Sequence, residues 1–112
     1  MSGESDKSTE ALVVFSTFAS AEEARKVCRQ LVEERLVACA NLLPAVESIY
    51  RWQGGVETAT ETMAIMKTTA AGYPKLEARL QQLHSYAVPE IVALPVGAGS
   101  EAYLKWVHEN VA

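Results

Sequence analysis

Three segments of this chain are apolar at odd and even positions alike: ALVVF from Ala11, LVACANLL from Leu36 and IVALPV from Ile91. Side chains alternate between the two faces of a strand. A strand with one wet face therefore alternates apolar with polar residues, and these segments do not. Each needs cover on both sides. That requirement, set against the order of the elements around it, restricts the fold more than any other feature.

The order can be read from local signals. Ala11–Phe18 is a short β-branched run and reads as a strand. Ser20 follows as an N-cap with Glu23 three residues on, the pattern of a capping box. Ala24, Val27, Cys28, Leu31 and Val32 then keep helical spacing. A second extended segment spans Leu36–Trp52, in which Pro44 marks a bulge or an edge position. Gly54 and Gly55 signal a hairpin turn, and Val56–Thr69 is the return strand. Pro74 suits the first turn of a second helix with Leu76, Leu80 and Leu83 on its stripe. Glu90–Val96 reads as a fourth strand. Ser100 caps a last helix bearing Tyr103, Leu104, Val107 and Val111.

The resulting β-α-β-β-α-β order is an α+β, ferredoxin-like arrangement with an extra C-terminal helix. Its two main helices cover one sheet face. A short chain does not readily cover the other, so we expect a closed homo-oligomer in which copies of the chain do so. The long central hairpin supports this, because long unpaired edges tend to pair. Burial of the second face by the C-terminal helix is the alternative.

At 112 residues the chain is expected to form one domain over residues 11–112, behind a polar, disordered tail at residues 1–10. A net charge of −4 opposes nucleic-acid binding, which needs a basic face. No segment is long and apolar enough to span a membrane, and the tail lacks the apolar core of a signal peptide. A cytoplasmic protein is therefore expected. Cys28 and Cys39 have no structural-zinc spacing and read as free thiols. No Ser/His/Asp or Cys/His pattern with recognisable spacing is present, so no enzyme is expected. A phosphate-binding glycine loop at a helix start is also missing from the sequence.

The candidate site lies in LHSYAVPEIVALPV, from Leu83 to Val96, where His84, Tyr86 and Glu90 fall within seven residues. Each has a plain structural reading. His84 suits a helix C-terminus, Tyr86 can be an amphipathic plug, and Glu90 can accept backbone N–H groups or pair with Lys67. Pro89 holds Val88 extended and orients Glu90. Together they suggest a shared polar cleft. Cys28 belongs to a core stripe. Cys39 shares a strand with Asn41 and faces either a cleft or the core. Tyr50 and Trp52 share one strand face and suit subunit packing. Glu61 and Lys67 also share a face, which suits an ion pair at an interface.

These same residues resemble the CutA family of divalent-cation tolerance proteins. LVACANLLPAVESIYRWQGG, with Cys39, Asn41, Tyr50, Trp52 and Gly54, looks like the family's second strand and hairpin. Glu61 and MKTT (Lys67, Thr68, Thr69) resemble its return strand. His84, Tyr86, Pro89 and Glu90 resemble its His-x-Tyr-x-x-Pro-Glu signature, and Tyr103–Trp106 its closing helix. The match runs from about Leu12 to Val107. The resemblance implies a homotrimer similar in architecture to the PII signalling proteins, and a role in tolerance of divalent metals, copper above all. Copper-linked members can carry a cysteine where this chain has Ser16, and a second histidine where it has Leu83. The implied function is a non-catalytic trimer that requires no cofactor. It would bind copper or another divalent ion weakly through His84, Glu90 and Cys39. Tyr50, Trp52, Glu61, Lys67 and Tyr86 would form an inter-subunit cleft. The alternative is a PII-like signalling or scaffold trimer that binds a small ligand or partner protein in that cleft.

Overall fold

The computed structural model describes residues 10–112. Of the expected tail at residues 1–10, only Glu10 falls among the described residues. Seven elements follow in the order β1 (Ala11–Phe18), α1 (Ala21–Glu33), β2 (Cys39–Trp52), β3 (Gly55–Thr69), α2 (Tyr73–Leu83), β4 (Val92–Pro95) and α3 (Glu101–Glu109). The strands form one antiparallel sheet in the order β2-β3-β1-β4. This is the expected ferredoxin-like arrangement with an added C-terminal helix. No helix among the described residues is long and apolar enough to cross a membrane.

Helices α1 and α2 pack on one sheet face. Val14 and Phe18 of β1 and Ala64 and Met66 of β3 meet Ala24, Val27, Cys28 and Leu31 of α1 and Leu76 and Leu80 of α2. These side chains are buried, and their burial is the main apolar contribution to stability. The Ser20 hydroxyl accepts the Glu23 N–H at 3.1 Å, as a cap should. The reciprocal half of the capping box is replaced. Glu23 turns its carboxylate to Ser85, accepting from the backbone N–H and the hydroxyl, each at 2.9 Å. It thereby ties the start of α1 to the segment after α2. Ser100 caps α3 by accepting the Tyr103 N–H at 3.1 Å.

The opposite face is apolar as well. Pairing register places Val13 and Phe15 of β1 beside Leu94 and Val92 of β4, and beside Lys67 and Ile65 of β3. Met63 and Leu43 continue the row. Leu94 is 57% exposed and Val92 50%. Helix α3 covers only one end of this face, where Val107 is buried and the Tyr103 hydroxyl lies 3.5 Å from the Cys39 sulfur. The rest has no cover among the described residues.

The β2–β3 hairpin extends beyond the helices. It stretches the molecule to 53 × 28 × 24 Å, with a radius of gyration of 15.2 Å against about 13 Å for a compact chain of this size. Its turn has positive φ at Gln53 (49°) and Gly54 (83°), between the last paired residues Trp52 and Gly55. Two consecutive left-handed residues match the right-handed strand twist of a tight hairpin. Pro44 lies in a register shift between Leu43 and Val46, with Ala45 at φ 60°. Pro44 has no N–H to give the ladder, so the strand bulges there.

Strand bounds differ from expectation in three strands, the third by one residue, starting at Gly55 rather than Val56. The second strand starts at Cys39 rather than Leu36. Arg35 has φ 60°, and the Leu36 N–H still bonds back to Leu31 of α1, so the chain is leaving the helix there. The fourth strand is Val92–Pro95 rather than Glu90–Val96, because it pairs only with Leu12–Phe15.

Candidate functional site

The segment after α2 crosses the end of the sheet from the helix side to the uncovered side. His84 is the C-cap of α2, and its backbone N–H bonds to Leu80. Its ring stacks on Phe18 with centroids 4.5 Å apart. Nε2 lies 2.7 Å from the Thr17 carbonyl, and Nδ1 accepts the Tyr86 N–H at 3.1 Å. A carbonyl can only accept and a backbone amide can only donate. The neutral ring therefore carries its proton on Nε2, and both nitrogens are occupied. Glu23 Oε2 stands 4.0 Å from Nδ1. His84 thus joins β1, α1 and the connecting segment in one buried network.

This network aims Tyr86 at the opposite face. Its hydroxyl donates to Glu61 at 2.6 Å. Burial, and then the Glu61 carboxylate, hold the hydroxyl above the usual phenol range. Around this pair lies a cleft of about 540 Å³, bordered by Tyr50 and Trp52 of β2, by Thr17 and by Glu90. Of the His84, Tyr86 and Glu90 expected to share a polar cleft, Tyr86 and Glu90 line it, whereas His84 is buried and does not border it. Tyr50, Trp52, Glu61, Tyr86 and Glu90 border this cleft together. They come from three separated stretches. Strand alternation aligns Tyr50 and Trp52 with Glu61 across the β2–β3 ladder.

Cys39 and Lys67 are elsewhere. They pair directly across β2 and β3 at the far end of the sheet. Lys67 Nζ donates to the Asn41 side chain, not to Glu90, and it does not meet Glu61 within the chain. Cys39 lies beside Tyr103, whose hydroxyl is raised by that contact and by burial. The expected trio of His84, Glu90 and Cys39 does not converge in one chain. Among the described residues there is no group of three His, Cys, Asp or Glu side chains placed to hold a metal ion. Within a single chain the donor set does not fit a closed divalent-ion site.

Sequence reasoning missed the tertiary role of Glu23. The capping pattern gives Glu23 only a local role, yet it fixes Ser85 and faces His84. No local signal reveals a contact 62 residues away. Ser16 is fully buried between Val14 and Phe18 on the helix side of the sheet, and its hydroxyl has no hydrogen-bond partner among the described residues. Cys28 is buried in the core, and burial pushes its thiol up to about 11.

The chain matches a family described as CutA1 divalent ion tolerance protein over residues 12–110. It is 51% identical to the divalent-cation tolerance protein CutA of Thermus thermophilus across 98 residues, covering 88% of this chain and 95% of that one. It is 38% identical to the chloroplastic CutA of Arabidopsis thaliana, covering 96% of this chain but only 59% of the plant protein. The solved structure of the Thermus thermophilus divalent cation tolerance protein superposes with a TM-score of 0.89 at 49% identity, covering 91% of this chain and 99% of that one.

Proposed function

The chain belongs to the CutA1 divalent ion tolerance family, and from that premise we propose that it acts as a non-catalytic homotrimer that takes up copper or other divalent ions weakly. The observation that carries the trimer is the uncovered apolar sheet face, with Val92, Leu94, Phe15, Ile65 and Leu43 in one continuous field. Such a field on a lone chain invites association, and a closed ring of copies covers it without leaving a free edge. Weak uptake follows from the donor set. His84, Glu90 and Cys39 lie apart in one chain, and both nitrogens of His84 are already hydrogen-bonded inside it. We place the protein in the cytoplasm, in keeping with two free thiols of the kind a reducing compartment maintains.

Native mass spectrometry with and without Cu(II) tests this reading. The expected spectrum shows a three-chain species whose copper occupancy is partial and disappears on buffer exchange. A monomer that retains one copper ion per chain through buffer exchange would contradict it.

A second reading has its own support. A PII-like signalling or scaffold trimer would bind a small ligand or partner protein between subunits. The cleft bordered by Tyr50, Trp52, Glu61, Tyr86 and Glu90 has the size and the mix of apolar walls and convergent polar groups that ligand sites have.

A further inference from the structure

Glu61 is only 8% exposed, yet no Lys or Arg pairs with it among the described residues. Its one close partner there is the Tyr86 hydroxyl at 2.6 Å. A buried carboxylate is costly to keep unless a positive charge joins it. Lys67 cannot serve within the chain. It lies six residues along the same strand, about 20 Å away at strand spacing, and it donates to Asn41. Glu90 adds a second carboxylate to the same cleft, and among the described residues no Lys, Arg or His borders it. Tyr50 and Trp52 contribute half-exposed rings, whose faces carry the negative end of the ring quadrupole and attract cations.

Besides a basic side chain from a neighbouring copy, two kinds of cation could meet this environment. A metal ion would want several hard donors in one coordination sphere, and no group of three metal-ligating side chains is present among the described residues. The cleft, at about 540 Å³, also has the volume of a site for a whole organic molecule rather than for one ion. We propose that it binds an organic cation of the alkylammonium class, with Glu61 and Glu90 opposing the charge and Tyr50 and Trp52 packing on the alkyl groups. This rests on the ligand-cleft reading above and names the chemistry of its ligand.

The test is a fluorescence and calorimetric titration of the full chain in a Trp106→Phe background, so that Trp52 reports alone. The probes are choline, its neutral carbon isostere dimethylbutanol, and inorganic phosphate. Choline is expected to shift Trp52 emission and to bind about tenfold more tightly than the neutral isostere, with no response to phosphate. Glu61→Gln and, separately, Glu90→Gln should each weaken choline by about tenfold at unchanged native mass. Should Glu61→Gln fail to fold, Glu90→Gln carries the comparison. Equal binding of the isostere or of phosphate overturns the alkylammonium assignment and leaves the ligand-cleft reading standing. Silence from every probe overturns both. Loss of native mass in Glu61→Gln with choline binding unaltered assigns the counter-charge to a neighbouring chain and overturns the proposal.

Discussion

At the scale of single residues, most of the chemistry turns on where a polar group finds its partner. His84 is buried with a donor and an acceptor both satisfied and a stacked ring beneath it. His84→Ala should lower unfolding stability by roughly 3 kcal/mol, since it leaves a cavity against Phe18 and orphans the Thr17 carbonyl and the Tyr86 N–H. Urea denaturation measures this, and a change below about 0.5 kcal/mol, the size of a typical surface substitution effect, would show that the network holds nothing together. The two thiols should separate in reactivity. Cys28 is 4% exposed, with a thiol pushed up to about 11, whereas Cys39 is partly exposed. The thiolate is the reactive form. Brief iodoacetamide treatment followed by peptide mapping should label Cys39 first. Preferential labelling of Cys28 would mean that α1 presents a different face to the core.

At the scale of elements, the helices and the hairpin were legible because their signals are local. Ser20 and Ser100 cap helices where their positions said they would, and Pro44 bulges a strand for want of an N–H. Strand ends were not legible. β4 begins only at Val92, opposite Phe15, although β1 runs on to Phe18, because the preceding residues cross the sheet end instead of pairing. The cleft was half legible. The signature residues announced a polar site, but Glu61 meets Tyr86 only because the segment after α2 crosses the sheet end. Cys39 and Lys67 fall at the opposite end for the same topological reason. One tertiary tie between elements has a pH signature. Arg79 of α2 grips Glu34 at the end of α1 at 2.9 Å, and hydrogen bonds from Arg79 and then Gln30 hold the Glu34 carboxyl below its usual value of 4.5. A carboxylate lowered in the folded state adds stability above its unfolded pKa and loses it as pH falls through the folded one. The loss attributable to Glu34 should therefore set in below about pH 4.5, and in Glu34→Gln it should be missing. The pair is exposed, so the effect is small and shrinks with added salt. Thermal melts of both proteins between neutral and acid pH would show the difference, and parallel curves would rule the tie out.

At the scale of the whole molecule, the sequence and the fold converge on one demand. Segments apolar at odd and even positions alike require two covered faces, α1 and α2 cover one, and α3 covers only an end of the other. The elongated hairpin makes the lone chain wider than a compact protein of its length. Both features make sense when neighbouring copies lie on the uncovered face and along the hairpin. The most direct measurement is light scattering after gel filtration on the wild type and on Leu94→Lys. Leu94 is 57% exposed in the single chain, so a lysine there would be harmless to a monomer and would place a charge inside an assembled interface. The account predicts roughly three times the 12.2 kDa chain mass for the wild type and a smaller species for Leu94→Lys. A wild type that elutes at the mass of one chain at every concentration, or a Leu94→Lys protein with unchanged mass, would contradict it.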